Sequence, residues 1–155
     1  MASSTPNIIF LESNGALPPA IHERPAGATV TPGDLLTLAS TGKVSPLASA
    51  GGVNARIFAL ENPYAPDPMQ KSLGQTYATD DYVRFVFARP GDLVYARLAA
   101  SQTVVVGDVL IASATGGCLA KATVDATTLE GAIVAIAEEA VTTTGSVGRI
   151  KVRVI

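Results

Sequence analysis

One histidine, one cysteine and three Gly-Asp pairs hold most of what this 155-residue chain could use for chemistry. Nucleophilic catalysis needs a base within hydrogen-bond reach of a serine or cysteine. His22 lies among prolines beside Glu23 and Arg24, and no motif brings it to Cys118 or to a serine. Cys118 falls in line with Val44 in a repeat described below, which favours a small buried hydrophobe over a reactive thiol. Asp80-Asp81 and Glu138-Glu139 are adjacent pairs, and neighbours on a strand face opposite sides, so neither pair easily grips one ion. Cysteine pairs and histidine clusters with ligand spacing are missing. Gly42-Lys43 precedes Val44 where a phosphate loop needs Ser or Thr. Tyr64, Tyr77, Tyr82 and Tyr95 could stack on a sugar or base. With only 5% aromatic residues, packing under loops accounts for them better. The expectation is a protein that is not an enzyme, with no catalytic, cofactor-binding or metal-ligating residues.

The Gly-Asp pairs speak for architecture instead. Thr31-Pro32-Gly33-Asp34 suits a type II turn, with Pro second and Gly supplying positive φ at the third place. Gly91-Asp92 and Gly107-Asp108 repeat the theme, and each aspartate is suited to accept backbone N–H bonds within its turn. Val30, Gly33, Asp34, Leu36, Thr41 and Gly42 recur as Val104, Gly107, Asp108, Leu110, Thr115 and Gly116 with constant spacing. Phe58-Ala59-Leu60-Glu61 is echoed by Val134-Ala135-Ile136 and Glu138. Repeat-like halves thus run over about 29–61 and 103–139.

The surrounding elements read as strands. Tyr82 to Ala88 alternates, with Val83, Phe85 and Phe87 on one face, and Arg89-Pro90-Gly91-Asp92 predicts a hairpin returning through Leu93 to Ala99. Gly148 to Ile155 is a period-2 strand with Ile150, Val152 and Val154 inward. Ala132 to Ala140 fits a short helix or a strand. Asn62-Pro63-Tyr64-Ala65-Pro66-Asp67-Pro68 reads as a loop, since prolines cannot donate to a central ladder. Residues 1–28 carry Pro6, Pro18, Pro19 and Pro25 and read as an extended N-terminal arm. Its apolar Ile8-Ile9-Phe10-Leu11 needs a surface, either the chain's own barrel or a neighbouring subunit, or else forms a first strand of the sheet. The fold expected is mainly β: a small β-barrel or β-sandwich over 29–155 with an internal duplication.

Composition narrows the partners. Charged residues make up 15% of the chain, below the roughly 25% usual for soluble domains, which leaves apolar surface for an assembly to cover. The net charge is −2 and no basic stretch exists, which argues against nucleic acid. No run approaches the ~18 apolar residues of a membrane span, and Met1 to Pro6 lacks a basic signal flank. A single cysteine suits synthesis in a reducing cytoplasm.

An ordered set of landmarks also invites comparison with a family. Val30-Thr31-Pro32-Gly33-Asp34-Leu35-Leu36, Phe58-Ala59-Leu60-Glu61 and Tyr77-Ala78-Thr79-Asp80-Asp81-Tyr82-Val83 come first. Arg89-Pro90-Gly91-Asp92-Leu93-Val94-Tyr95-Ala96, Val106-Gly107-Asp108-Val109-Leu110 and Gly148 to Val154 follow. In order and spacing these resemble tailed-bacteriophage capsid decoration, or cement, proteins. The resemblance implies a small β-barrel or β-sandwich on the outer surface of an expanded phage head. Such a protein staples neighbouring major capsid subunits, commonly as a homotrimer, and brings no cofactor or catalytic residue to carry over. The expected location is therefore the virion, after synthesis in the host cytoplasm. Contacts from Ile8, Ile9, Phe10 and Leu11 to a capsid or subunit interface rest on their apolar character alone. The alternative is a duplicated β-barrel binding module for a glycan or host surface, which exposed Tyr64 and Tyr77 lining a groove would favour. A small β-barrel enzyme is a third reading, and it would need His22 beside a carboxylate in a cleft.

Overall fold

Short runs of alternating apolar and polar residues, punctuated by Gly, Pro and Asp, can satisfy their backbone only by pairing with other strands. A computed structural model describes residues 5–15, 17–64, 72–123 and 130–155. Its strands in chain order are β1 (Phe10–Glu12), β2 (Ile21–Pro25), β3 (Leu35–Leu38), β4 (Val44–Pro46), β5 (Ile57–Ala59), β6 (Tyr82–Phe87) and β7 (Leu93–Leu98). There follow β8 (Thr103–Val104), β9 (Val109–Ala112), β10 (Leu119–Lys121), β11 (Ile133–Ala137), β12 (Val141–Thr142) and β13 (Gly148–Val154). Helix among the described residues is confined to 3-10 turns at Ser72–Gly74 and Glu130–Ala132.

The strands build two units of the same design. One has the order β2-β6-β5-β3-β4, the other β7-β13-β11-β9-β10. Within each, every neighbouring pair is antiparallel. A parallel contact curls each sheet back on itself, Ala26 against Val44 in the first and Leu98 against Leu119 in the second. The second is a closed five-stranded barrel. β1 adds to the outside of β7, and β8 pairs with β12.

Register makes the correspondence residue by residue. Leu36 matches Leu110, Val44 matches Leu119, Ile57 matches Ala135, Phe85 matches Val152 and His22 matches Val94. Irregular backbone bonds repeat as well. Gly33 N–H donates to Ala59 O at 2.8 Å, and Gly107 N–H donates to Ala137 O at 2.9 Å. Likewise Ala88 N–H to Arg56 O (2.9 Å) recurs as Ile155 N–H to Val134 O (3.2 Å). The duplicated unit therefore extends past 29–61 and 103–139 to take in β2 and β6 on one side, β7 and β13 on the other.

Three expectations change. Cys118 matches Lys43 and not Val44, because the turn 113–118 is one residue longer than the turn 39–43. Backbone angles agree, since Gly42 (φ 83°) and Gly117 (φ 75°) share the left-handed conformation that Gly116 lacks. The predicted hairpin of β6 and β7 does not form; β6 pairs with β2 and β5, while β7 pairs with β13, β1 and β10. Arg89-Pro90-Gly91-Asp92 is a crossover between units, for a type II turn splays its flanking strands where a hairpin needs a primed turn. The stretch 1–28 is also more than an arm, since β2 is a wall of the first barrel. Ala132 to Ala140 resolves as the strand β11 after a 3-10 turn, and Ala65-Pro66-Asp67-Pro68 lies outside the described residues.

Period-2 alternation fills both interiors. Ala26, Val30, Leu36, Val44, Ile57, Ala59, Tyr77, Val83 and Phe85 form the core of the first barrel. The residues between them, Leu35, Phe58, Leu60 and Val86, point outward. They join Val94, Leu98, Leu110, Leu119, Ile150 and Val152 of the second unit in one cluster, so the two units share an apolar layer.

Candidate functional site: a polar seam and an open tyrosine groove

The Gly-Asp turns share one geometry. Asp34, Asp92 and Asp108 accept the N–H of Thr31, Arg89 and Val105 at 2.7, 2.8 and 2.9 Å, and Gly33, Gly91 and Gly107 all have φ near +90°. Ala78-Thr79-Asp80-Asp81 is a fourth copy, with Asp81 accepting from Ala78 at 2.8 Å and Asp80 taking the positive φ. Sequence reading passed over it because aspartate fills the place of the glycine, a substitution that the left-handed region tolerates for Asp.

The first turn is plugged into the second unit. Arg149 Nη1 donates to Pro32 O at 2.7 Å, Arg97 N–H to Gly33 O at 3.3 Å, and Arg97 Nη1 to Asp34 Oδ1 at 2.6 Å. Leu35 N–H donates to Gly117 O, and Gly117 N–H to Leu47 O, stitching the same boundary. Arg149 also donates to Leu73 O and lies 5.9 Å from the centre of the Tyr95 ring. Burial pushes the Asp34 carboxyl above its usual range, against the pull of the Thr31 N–H and the Arg97 guanidinium. Burial likewise lowers Arg149, helped by the like charge of Arg97, and raises the buried Cys118 thiol. Neither arginine stood out in the sequence. The one available signal was a charge inside the apolar run Leu93 to Leu98.

The arm residues divide. Ile9 is fully buried in the chain's own core, its N–H donating to the Glu61 carboxylate and its carbonyl accepting from Tyr95 at 2.7 Å. Phe10 pairs with Val94, and Phe10 and Leu11 are half-buried. Ile8 points outward with 53% of its surface exposed. Arg153 clamps the strand from the far side through Glu12 (3.3 Å) and Glu138 (2.7 Å).

On the first unit, a groove of about 770 Å³ runs between Glu23, Asn62, Tyr64, Thr76, Asp80 and Tyr82. Tyr64 and Tyr82 present exposed rings, at 69% and 59%. Tyr77 belongs to its floor, fully buried, with its hydroxyl donating toward Leu60 O and Glu61 O. Lys43 Nζ sits 2.5 Å from Asp80 Oδ1. His22 lies elsewhere, stacked on Phe85 at 5.7 Å and edge-on to Phe87 at 5.3 Å. Among the described residues, no three His, Cys, Asp or Glu side chains gather as ligands for one metal ion. Comparison of the chain with protein-family models and with curated proteins found no match.

Proposed function

We propose that this protein is a structural decoration, or cement, protein of a tailed-phage head, bound to the outer surface and stapling neighbouring major capsid subunits. The supporting observation is the duplicated barrel held by the buried turn Thr31–Asp34. Two like units at one fixed separation offer two like faces, which is the geometry a staple between like subunits requires. The resemblance of the ordered turn-and-strand landmarks points the same way, as does the low charge. The protein then acts without catalysis or cofactor, as a homo-oligomer in the virion, with Ile8 the most exposed of the four residues Ile8 to Leu11 and so the one to meet a neighbour.

Because β1 and β2 are structural strands, removing residues 1–28 would damage both barrels, and a point change tests the arm better. Ile8→Glu is expected to leave the melting temperature unchanged and to weaken attachment to expanded heads by about tenfold, a loss of about 1.4 kcal/mol. Cryo-electron microscopy of heads mixed with the wild type should show saturable outer density, and heads should resist heat better. Absence of both results rejects the proposal. Glycan or host-surface binding is the second reading, favoured by the exposed Tyr64 and Tyr82 rings at the groove. A glycan array with Tyr64→Ala as control separates the two.

A further inference from the structure

The internal contact between the units has a plug and a socket, and each has an exposed twin on the same chain. The plug is Thr31-Pro32-Gly33-Asp34, whose register twin is Val105-Val106-Gly107-Asp108. The socket is the outer face of β7 and β13, made by Tyr95, Arg97, Gly148 and Arg149. Its twin on β2 and β6 is Glu23, Pro25, Asp81 and Tyr82, which borders the open groove. The twin plug stands in solvent: Val105 and Val106 are 52% and 66% exposed, and nothing lies within 4 Å of where a side chain on Gly107 would begin.

We propose that the Val105–Asp108 turn of one copy of this protein seats in the Glu23–Tyr64–Tyr82 groove of a second copy, repeating between chains the contact made within each. The two valines bring apolar surface to the two tyrosine rings, and burying such a side chain favours association. Charge fits as well. In the occupied socket, Asp34 lies against Gly117 and close to Cys118. The twins of those residues are Gly42 and Lys43, so Lys43 awaits the incoming Asp108. Seating the turn exchanges partners, since Asp108 leaves Lys121 (2.8 Å) and Lys43 leaves Asp80 (2.5 Å). Pro25 replaces Arg97 and offers neither an N–H nor a guanidinium. The contact between copies is therefore weaker than the internal one and reversible. It is also head-to-tail, so it closes into a ring or grows as a filament.

This contact specifies the self-association in the proposed function but is read on free protein, so failure of head binding leaves it standing and the reverse also holds. Molar mass by light scattering should rise between about 1 and 200 μM wild type. Val106→Glu should raise the dissociation constant at least tenfold with the melting temperature unchanged. A Val106→Cys preparation mixed with a Tyr82→Cys preparation should form disulfide-linked pairs under oxidation, whereas Val106→Cys with Val53→Cys should not. A wild type monomeric over the whole range overturns the proposal, including one that instead captures a glycan in the groove. So does association that Val106→Glu leaves intact, or the lack of a Val106–Tyr82 link.

Discussion

Gly33 and Gly107 are the same residue in the same turn, yet their surroundings differ. Both have φ of 90°, where a side chain costs about 1–2 kcal/mol. A Cβ on Gly33 would also meet Arg149 Nη1 at 2.6 Å and the Tyr95 carbonyl at 3.0 Å. Gly33→Ala should therefore destabilise the fold by at least about 1 kcal/mol more than Gly107→Ala in urea unfolding. The neighbouring aspartates diverge in sign. Asp34, raised by burial, binds a proton more tightly folded than unfolded, so its titration adds stability as pH falls toward the ordinary 3.8. Asp108 is lowered, first by Lys121 and then by the Val105 N–H, so its contribution is full above 3.8 and lost as pH falls through the depressed value. The stability of wild type minus Asp34→Asn should rise on acidification. That of wild type minus Asp108→Asn should hold steady and then drop. Parallel curves for the two pairs would refute the assignment.

Among the elements, the alternating strands β6 and β13 were legible, while β2 and the partners of most strands were not. Val83, Phe85, Ile150 and Val152 declared an inward face by alternation alone, and all four are buried. Whether β6 returns on itself or crosses to the next unit depends on twist at Pro90-Gly91, which periodicity does not report. Closure is equally remote from local pattern, since Leu119 meets Leu98 in parallel only after the sheet has curled. Leu119→Ala, emptying that fully buried seam, should cost about 3 kcal/mol. Leu38→Ala, at a half-exposed strand end, should cost under about 1 kcal/mol by the same denaturant measurement.

For the whole molecule, the two units behave as one body because Leu35, Phe58 and Val86 of the first lie in the cluster of the second. Calorimetry should show a single transition with equal calorimetric and van't Hoff enthalpies. Two resolved transitions would contradict the shared layer. Arg97→Ala leaves Asp34 buried without its guanidinium and should cost about 3 kcal/mol. The candidate site was half visible in advance. Tyr64, Tyr82 and the Gly-Asp turns drew notice, while Arg97, Arg149 and Lys43 acquire meaning only from what folds against them.

Alternation with period two and the demand for positive φ are properties of adjacent residues, so the chain by itself determined the alternating strands, the turn chemistry and the presence, though not the bounds, of a duplication. Which of two like Gly-Asp turns would be buried, which strands would pair across the crossover and where each barrel would close were decided by tertiary structure. Those outcomes depend on register and packing summed over residues distant in sequence, and no local pattern carries that sum.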